Sequence, residues 1–155
     1  DVYKRQVSIH EAAIRFQRTR GAVTIRDLTI TPFPLNHPQG GCGYRIDGPR
    51  RSLAIVADHE AGTDIDEQIR RAIDGVDVVI HDAQYLPAEA DAHRGWGHST
   101  YTDAVDLARA VGATELVLTS HDPNRTDRAI DSMMSHVRMS FEAALAAAQG
   151  LEVSL

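Results

Sequence analysis

Two apolar runs, VDVVIHDA at residues 76–83 and ELVLTSH at residues 115–121, limit the fold more than anything else in this chain. Each has the length of a strand, and the first is too uniformly apolar to keep one face in water, so it belongs in a sheet covered on both sides. Between them TYTDAVDLARAVG (100–112) reads as a helix. Ahead of them DIDEQIRRAIDG (64–75) reads as another, with acids in its first turn and a glycine at its end. Strands that alternate with helices in this way imply an α/β layered domain.

The rest of the chain fits around that pattern. VSIHEAAIRFQRT (7–19) is compatible with a helix stopped by Gly21, and AVTIRDLTI (22–30) alternates like one strand. TPFPLNHPQGG (31–41) reads as a loop because of its prolines and glycines. CGYRIDG (42–48) and RSLAIVAD (51–58) read as strands turned at Gly48-Pro49. After the second apolar run, a long Ala-rich helix is expected over about 126–149, the Ala run 143–148 serving helix packing, and LEVSL (151–155) reads as a closing strand.

Polar residues collect where these strands end. PLNHP carries His37; LAIVADHE ends on Asp58, His59 and Glu60; VVIHDAQY on His81 and Asp82; ELVLTSHDP on His121 and Asp122. In open α/β sheets ligands bind beyond the carboxyl ends of strands. Neutral imidazole and carboxylate gathered on one rim make a ligand set suited to zinc, and Mn or Fe also suit mixed His/Asp sites. His59 is the weaker candidate, since neighbours on a strand point to opposite faces; it is expected to point outward into solvent. His10, His93 and His136 are expected to be solvated or packed. A further segment, GWGHSTYTDAVDLA (95–108), sets His98 between glycines and a helix start. Gly95 and Gly97 allow close backbone approach, and Ser99 or Thr100 can cap the helix. The plain alternative is a Gly-rich turn with an exposed His.

Taken in order, these segments resemble the C-terminal half of the metallo-β-lactamase fold, over roughly residues 30–155. The likeness is to its phosphodiesterase branch, which includes the tRNA 3′-processing endonuclease and the phosphoribosyl cyclic phosphodiesterases. The resemblance implies an αββα sandwich of which this chain is the C-terminal part. It implies metal ligands at His37, Asp58 and His121, Asp58 bridging two Zn²⁺ ions in the complete site. From HDAQY and GHST it implies catalytic roles for Asp82 and His98. His98 would protonate the leaving oxygen or steady phosphoryl charge, and Asp82 would hold its ring. The branch's main metal motif, His-x-His-x-Asp-His, is not in this chain: no two histidines stand two apart. It normally lies ahead of the His37 segment. With DVYKRQ (1–6) reading as a non-native leader, residues 7–155 are expected to form one truncated domain, inactive alone and with an apolar sheet face uncovered.

The expected function is therefore a metal-dependent hydrolase, a phosphodiesterase acting on a small cyclic or nucleotide-like ester. A thioesterase or lactonase of the same fold and a non-enzymatic α/β binding module are the competing readings. The charge balance, 16 Lys and Arg against 22 Asp and Glu for a net −6, argues against a broad phosphate-binding surface, so a nucleic-acid partner is not expected. The single cysteine, Cys42, forms no internal disulfide and suits a reducing cytoplasm. No apolar run approaches the roughly 18 residues of a membrane span. A homodimer is compatible with the sequence.

Overall fold

The computed structural model describes residues 21–155; the helix expected over 7–19 and the leader lie outside them. One seven-stranded sheet runs in chain order: β1 (Val23–Ile25), β2 (Leu28–Leu35), β3 (Gly41–Asp47), β4 (Ser52–Val56), β5 (Val78–Asp82), β6 (Glu115–Thr119) and β7 (Ala144–Ala146). Neighbours from β1 to β4 are antiparallel and from β4 to β7 parallel. The parallel crossovers carry α1 (Ile65–Ala72), a 3-10 helix (Pro87–His93) with α2 (Tyr101–Ala110), and α3 (Asp127–Ser140). Among the described residues no helix is long and apolar enough to cross a membrane.

Strand alternation sorts the buried residues into two faces. Ala54, Val56, Val79, Leu116 and Leu118 meet Ile69 of α1, Ala104 and Ala108 of α2, and Met133, Met134 and Val137 of α3 in the main core. Leu53, Val78 and Val117 point the other way. That second face is not bare, as the truncated-domain reading expected: Val153 and Leu155 of the C-terminal tail pack against it, and its three central residues are buried. The same alternation separates His81, on the helix face with Val79, from Asp82, on the opposite face with Val78. Only Asp82 is thereby available to the rim.

Four expected elements differ. Residues 22–30 form a hairpin rather than one strand: the chain reverses at Arg26, whose φ is +56°, and Ile25 pairs with Leu28. The proline-rich 31–35 segment continues β2, pairing with β3. Leu28 and Ile30 face β1, so Pro32 and Pro34, of the same parity, face that edge too. β1 ends its pairing at Ile30, so no ladder bond needs their missing N–H groups. On the other strand, Gly43 lies opposite Phe33, where a Cβ would stand 2.3 Å from Phe33 Cε2.

The Ala run is not helical. α3 stops at Ser140, Phe141 is extended (φ −147°, ψ 92°), and Ala144–Ala146 pair in parallel with Leu116–Leu118. Alanine is the best helix former by intrinsic propensity, but the open edge of β6 decides the matter here: Ala144 is small enough to sit buried against the core. LEVSL forms no strand and serves as the packing tail.

Candidate active site

The carboxyl ends of β4, β5 and β6 share one rim. Val56 is in register with His81, and Asp82 with Thr119. Just past two of these ends the backbone turns through the left-handed region, at Asp58 (φ +56°) and Ser120 (φ +55°). For residues other than glycine such conformations cost of order 1–3 kcal/mol each and cluster where function fixes the chain. Here they re-aim Asp58, which is exposed, and the residue that follows Ser120, His121.

His98 is held at this rim from several sides. Its Nδ1 lies 2.5 Å from Asp82 Oδ2 and 3.9 Å from Asp58 Oδ1. Its ring meets that of His37 edge-on at 5.8 Å between centroids. Gly97 makes this proximity feasible: at φ +88° an added Cβ would fall 2.2 Å from His37 Cδ2. A Gly97→Ala substitution is therefore expected to push His37 aside and to destabilise the fold by about 1–3 kcal/mol, the usual cost of overpacking. A shift in the denaturant midpoint and a displaced His37 ring resonance would check it. Asp82 is buried, and burial raises its pKa; the bond from His98 and the N–H groups of Gln84 and Ser99 act in the opposite direction.

The loop carrying His98 is tied down by a residue to which the sequence reading gave no role. Glu60 accepts hydrogen bonds from Gly95 N (2.8 Å to each oxygen) and Gly97 N (2.9 Å). Although partial burial works upward, these N–H groups and Arg94 hold its carboxyl below the ordinary range. Glu60 is itself joined to the His37 loop through Asn36, which accepts from Glu60 N and donates through Nδ2 to its carbonyl. Its position two residues after Asp58 was the only available signal. Thr100, not Ser99, caps α2: its side chain accepts from Asp103 N, and Asp103 returns a bond to Thr100 N. Ser99 is buried and donates to the His59 carbonyl at 2.5 Å.

His59 and His81 correct the outward, solvated reading and the rim reading respectively. His59 is only 2% exposed; its Nδ1 accepts from Asn36 N at 3.1 Å. Burial lowers its pKa against the pull of Asp66. His81 bonds through Nδ1 to the Asp82 carbonyl at 2.6 Å, and burial drives its pKa down to about 4. His93 is packed, stacking on Tyr85 at 4.2 Å, and His136 is on the exposed side of α3. His10 lies outside the described residues.

The His81 shift has a sign. The unfolded chain, with an ordinary His near pKa 6.5, binds the proton more readily than the folded chain. The stability His81 confers is full above pH 6.5 and is lost as pH falls toward 4, by up to about 3 kcal/mol. Urea midpoints between pH 7.5 and 4.5 should fall, and should fall less steeply in His81→Gln; equal slopes would contradict the assignment.

Of the sequence-derived ligands, His37 and Asp58 both flank His98. Asp58, Asp82 and His98 each place a ligand atom within 4.8 Å of the others, and His37 and His121 are not part of that tight group among the described residues. His121 follows β6 by two residues. Both of its ring nitrogens are buried without a hydrogen-bond partner, and burial, then Arg125, lowers its pKa. An imidazole kept neutral, with nothing to bond, is the state a metal ligand requires. His37 Nδ1 takes only a long 3.3 Å contact from Gln39 N. The donor set therefore fits a metal.

A profile of the beta-lactamase superfamily domain matches residues 2–121. Ribonuclease Z of Exiguobacterium sp. is 30% identical over 107 residues, covering 69% of this chain and 34% of that protein. An uncharacterized protein of Mycobacterium tuberculosis is 33% identical over 121 residues, covering 77% of this chain and 41% of its own length. The chain thus spans well under half of these relatives. Among solved structures, the metallo-beta-lactamase fold protein YhfI of Bacillus subtilis superposes with a TM-score of 0.73 at 22% identity, covering 89% of this chain and 54% of that one.

Proposed function

The chain belongs to the beta-lactamase superfamily, and from that premise we propose that the protein carrying it is a metal-dependent phosphodiesterase acting on a small cyclic or nucleotide-like ester. The observation that carries this reading is the 2.5 Å Asp82–His98 pair set against Asp58 and His37. In this reading His37, Asp58 and His121 would hold the metal, with zinc the expected ion. When bound, it supplies Lewis acidity at the phosphoryl oxygens.

The residues of the chain do the rest. Asp82, buried and anchored by Gln84 N, fixes the His98 ring through Nδ1, so the second nitrogen, Nε2, is the one left to give a proton to the leaving oxygen. The ring is mostly shielded from water, which favours transfer to substrate over exchange with solvent. Glu60 keeps the 95–97 backbone in place beneath it. The pairing of an acid-base imidazole with a fixed carboxylate is suited to an alkoxide leaving group, which needs a proton, and less to a thiolate, which does not.

The test is a substrate panel on the protein completed with its His-x-His-x-Asp-His half. Bis-p-nitrophenyl phosphate and cyclic nucleotides are expected to turn over, with thioesters at background; a lactone is included as the carboxylic-ester control. A precursor tRNA belongs in the panel because relatives carry the name Ribonuclease Z; the acidic charge of this chain predicts poor turnover of it. Hydrolysis of thioester alone would sink the phosphodiesterase reading.

A further inference from the structure

On the helix side of the sheet, α1 and α2 leave a cavity of about 420 Å³ behind the rim, large enough for a small organic molecule. Its polar lining includes His59, His81, Asp66, Asp103 and Asp106, and Ile69 and Leu107 supply apolar wall. The proposed hydrolytic mechanism uses none of these side chains.

Hydrogen bonding fixes both imidazole tautomers. His59 Nδ1 accepts a backbone N–H, so in the neutral ring the proton sits on Nε2, 3.3 Å from Asp66 Oδ1. That contact is too poorly aligned to count as a hydrogen bond, and Asp66 Oδ1 is buried without a partner. His81 Nδ1 faces a carbonyl, which can only accept, so the proton is on Nδ1 and Nε2 is a bare lone pair. The His81 side chain is 1% exposed, and no described residue donates to that nitrogen. A buried acceptor left unpaired costs about 1–3 kcal/mol, and Asp66 Oδ1 is one such atom in this cavity. Arg70, the cation in the lining, is half exposed and turned toward Glu67 at 3.3 Å. The cavity therefore offers acceptors and negative charge with little to balance them. Its donor atoms are not gathered within 4.8 Å as those of Asp58, Asp82 and His98 are, so a bare metal ion is a poor match.

We propose that this cavity is a second binding site, for a small organic cation: a primary ammonium or guanidinium group on a short aliphatic body. The head donates to His81 Nε2 and Asp66, Asp106 adds attraction at the mouth, and the aliphatic part lies on Ile69 and Leu107. The site is distinct from the rim and does not depend on the phosphodiesterase reading.

Titrating the protein with n-butylammonium and n-butylguanidinium chloride, followed by calorimetry and ¹⁵N NMR of the histidines, tests this, with n-butanol as the neutral control. At least one cation is expected to saturate one site per chain and to move the His81 Nε2 resonance toward the hydrogen-bonded position. Asp66→Asn and Asp106→Asn should each weaken binding, Asp66→Asn by about tenfold or more, since a charge-assisted hydrogen bond is lost. Asp106 is exposed on α2, so its variant keeps the fold even if Asp66→Asn does not. Absence of saturable binding by either cation, equal binding of n-butanol, or unchanged affinity in both folded variants would overturn the proposal.

Discussion

Replacing His98 by Ala in the completed protein should lower kcat by about 10²–10⁴-fold, the range of a lost proton transfer, while leaving metal content unchanged. Nδ1 of His98 is taken up by Asp82 at 2.5 Å, so its role is bounded by what Nε2 can reach. The three proposed ligand positions, His37, Asp58 and His121, do not include it. Losing the ring therefore removes a proton donor and not a metal. Asp82→Asn should reproduce part of the loss, because an amide can present the wrong partner to Nδ1 and leave the ring in the other tautomer. It should also move the pH dependence of kcat, which a purely structural change would not. The measurement is kcat on a cyclic nucleotide, whose alkoxide leaving group needs the proton, across pH, alongside zinc analysis of each variant. Unchanged kcat in His98→Ala would reject the assignment, as would loss of zinc with the same activity loss as His121→Ala.

Much of this site was legible in the sequence for one physical reason. Buried parallel strands must be apolar along their length, so polar residues at 58, 82 and 121 stand out as strand ends, and parallel strands bring like ends together. HDAQY and GHST gave the pairing of Asp82 with His98 through resemblance, and the 2.5 Å contact is what that pairing requires. What stayed hidden was set by backbone geometry. The left-handed turn at Asp58 sends His59 inward, while strand alternation alone suggested solvent. Glu60 acts through peptide N–H groups of glycines 35 and 37 positions away, and no side-chain pattern announces such a bond. The Ala run misled for the opposite reason. Local propensity favours helix, and the free edge of β6, which no window of sequence around residue 144 contains, pulled it into the sheet.

The chain taken alone should bind zinc weakly and hydrolyse phosphodiesters near background. By the resemblance of its segments, one ion would have His37 and Asp58 from this chain and the other Asp58 and His121, so each would hold two protein ligands with one shared. A catalytic zinc site normally has three protein ligands and an open position. The histidines that would make up the difference belong to His-x-His-x-Asp-His, a pattern that the eight histidines of this chain do not form. Supplying the motif-bearing half, fused or in trans, should raise zinc affinity and turnover together, because ligand completion and folding of such a site share the same binding free energy. The sheet itself should change little, since Val153 and Leu155 already cover part of its second face. Zinc titration by calorimetry and hydrolysis of bis-p-nitrophenyl phosphate, run on the chain and on the completed protein, make the comparison. Tight binding of two zinc ions by the chain alone, with turnover equal to that of the completed protein, would show that the ligands come from elsewhere, and the acidic group of Asp58, Asp82 and His98 would then be the first place to look.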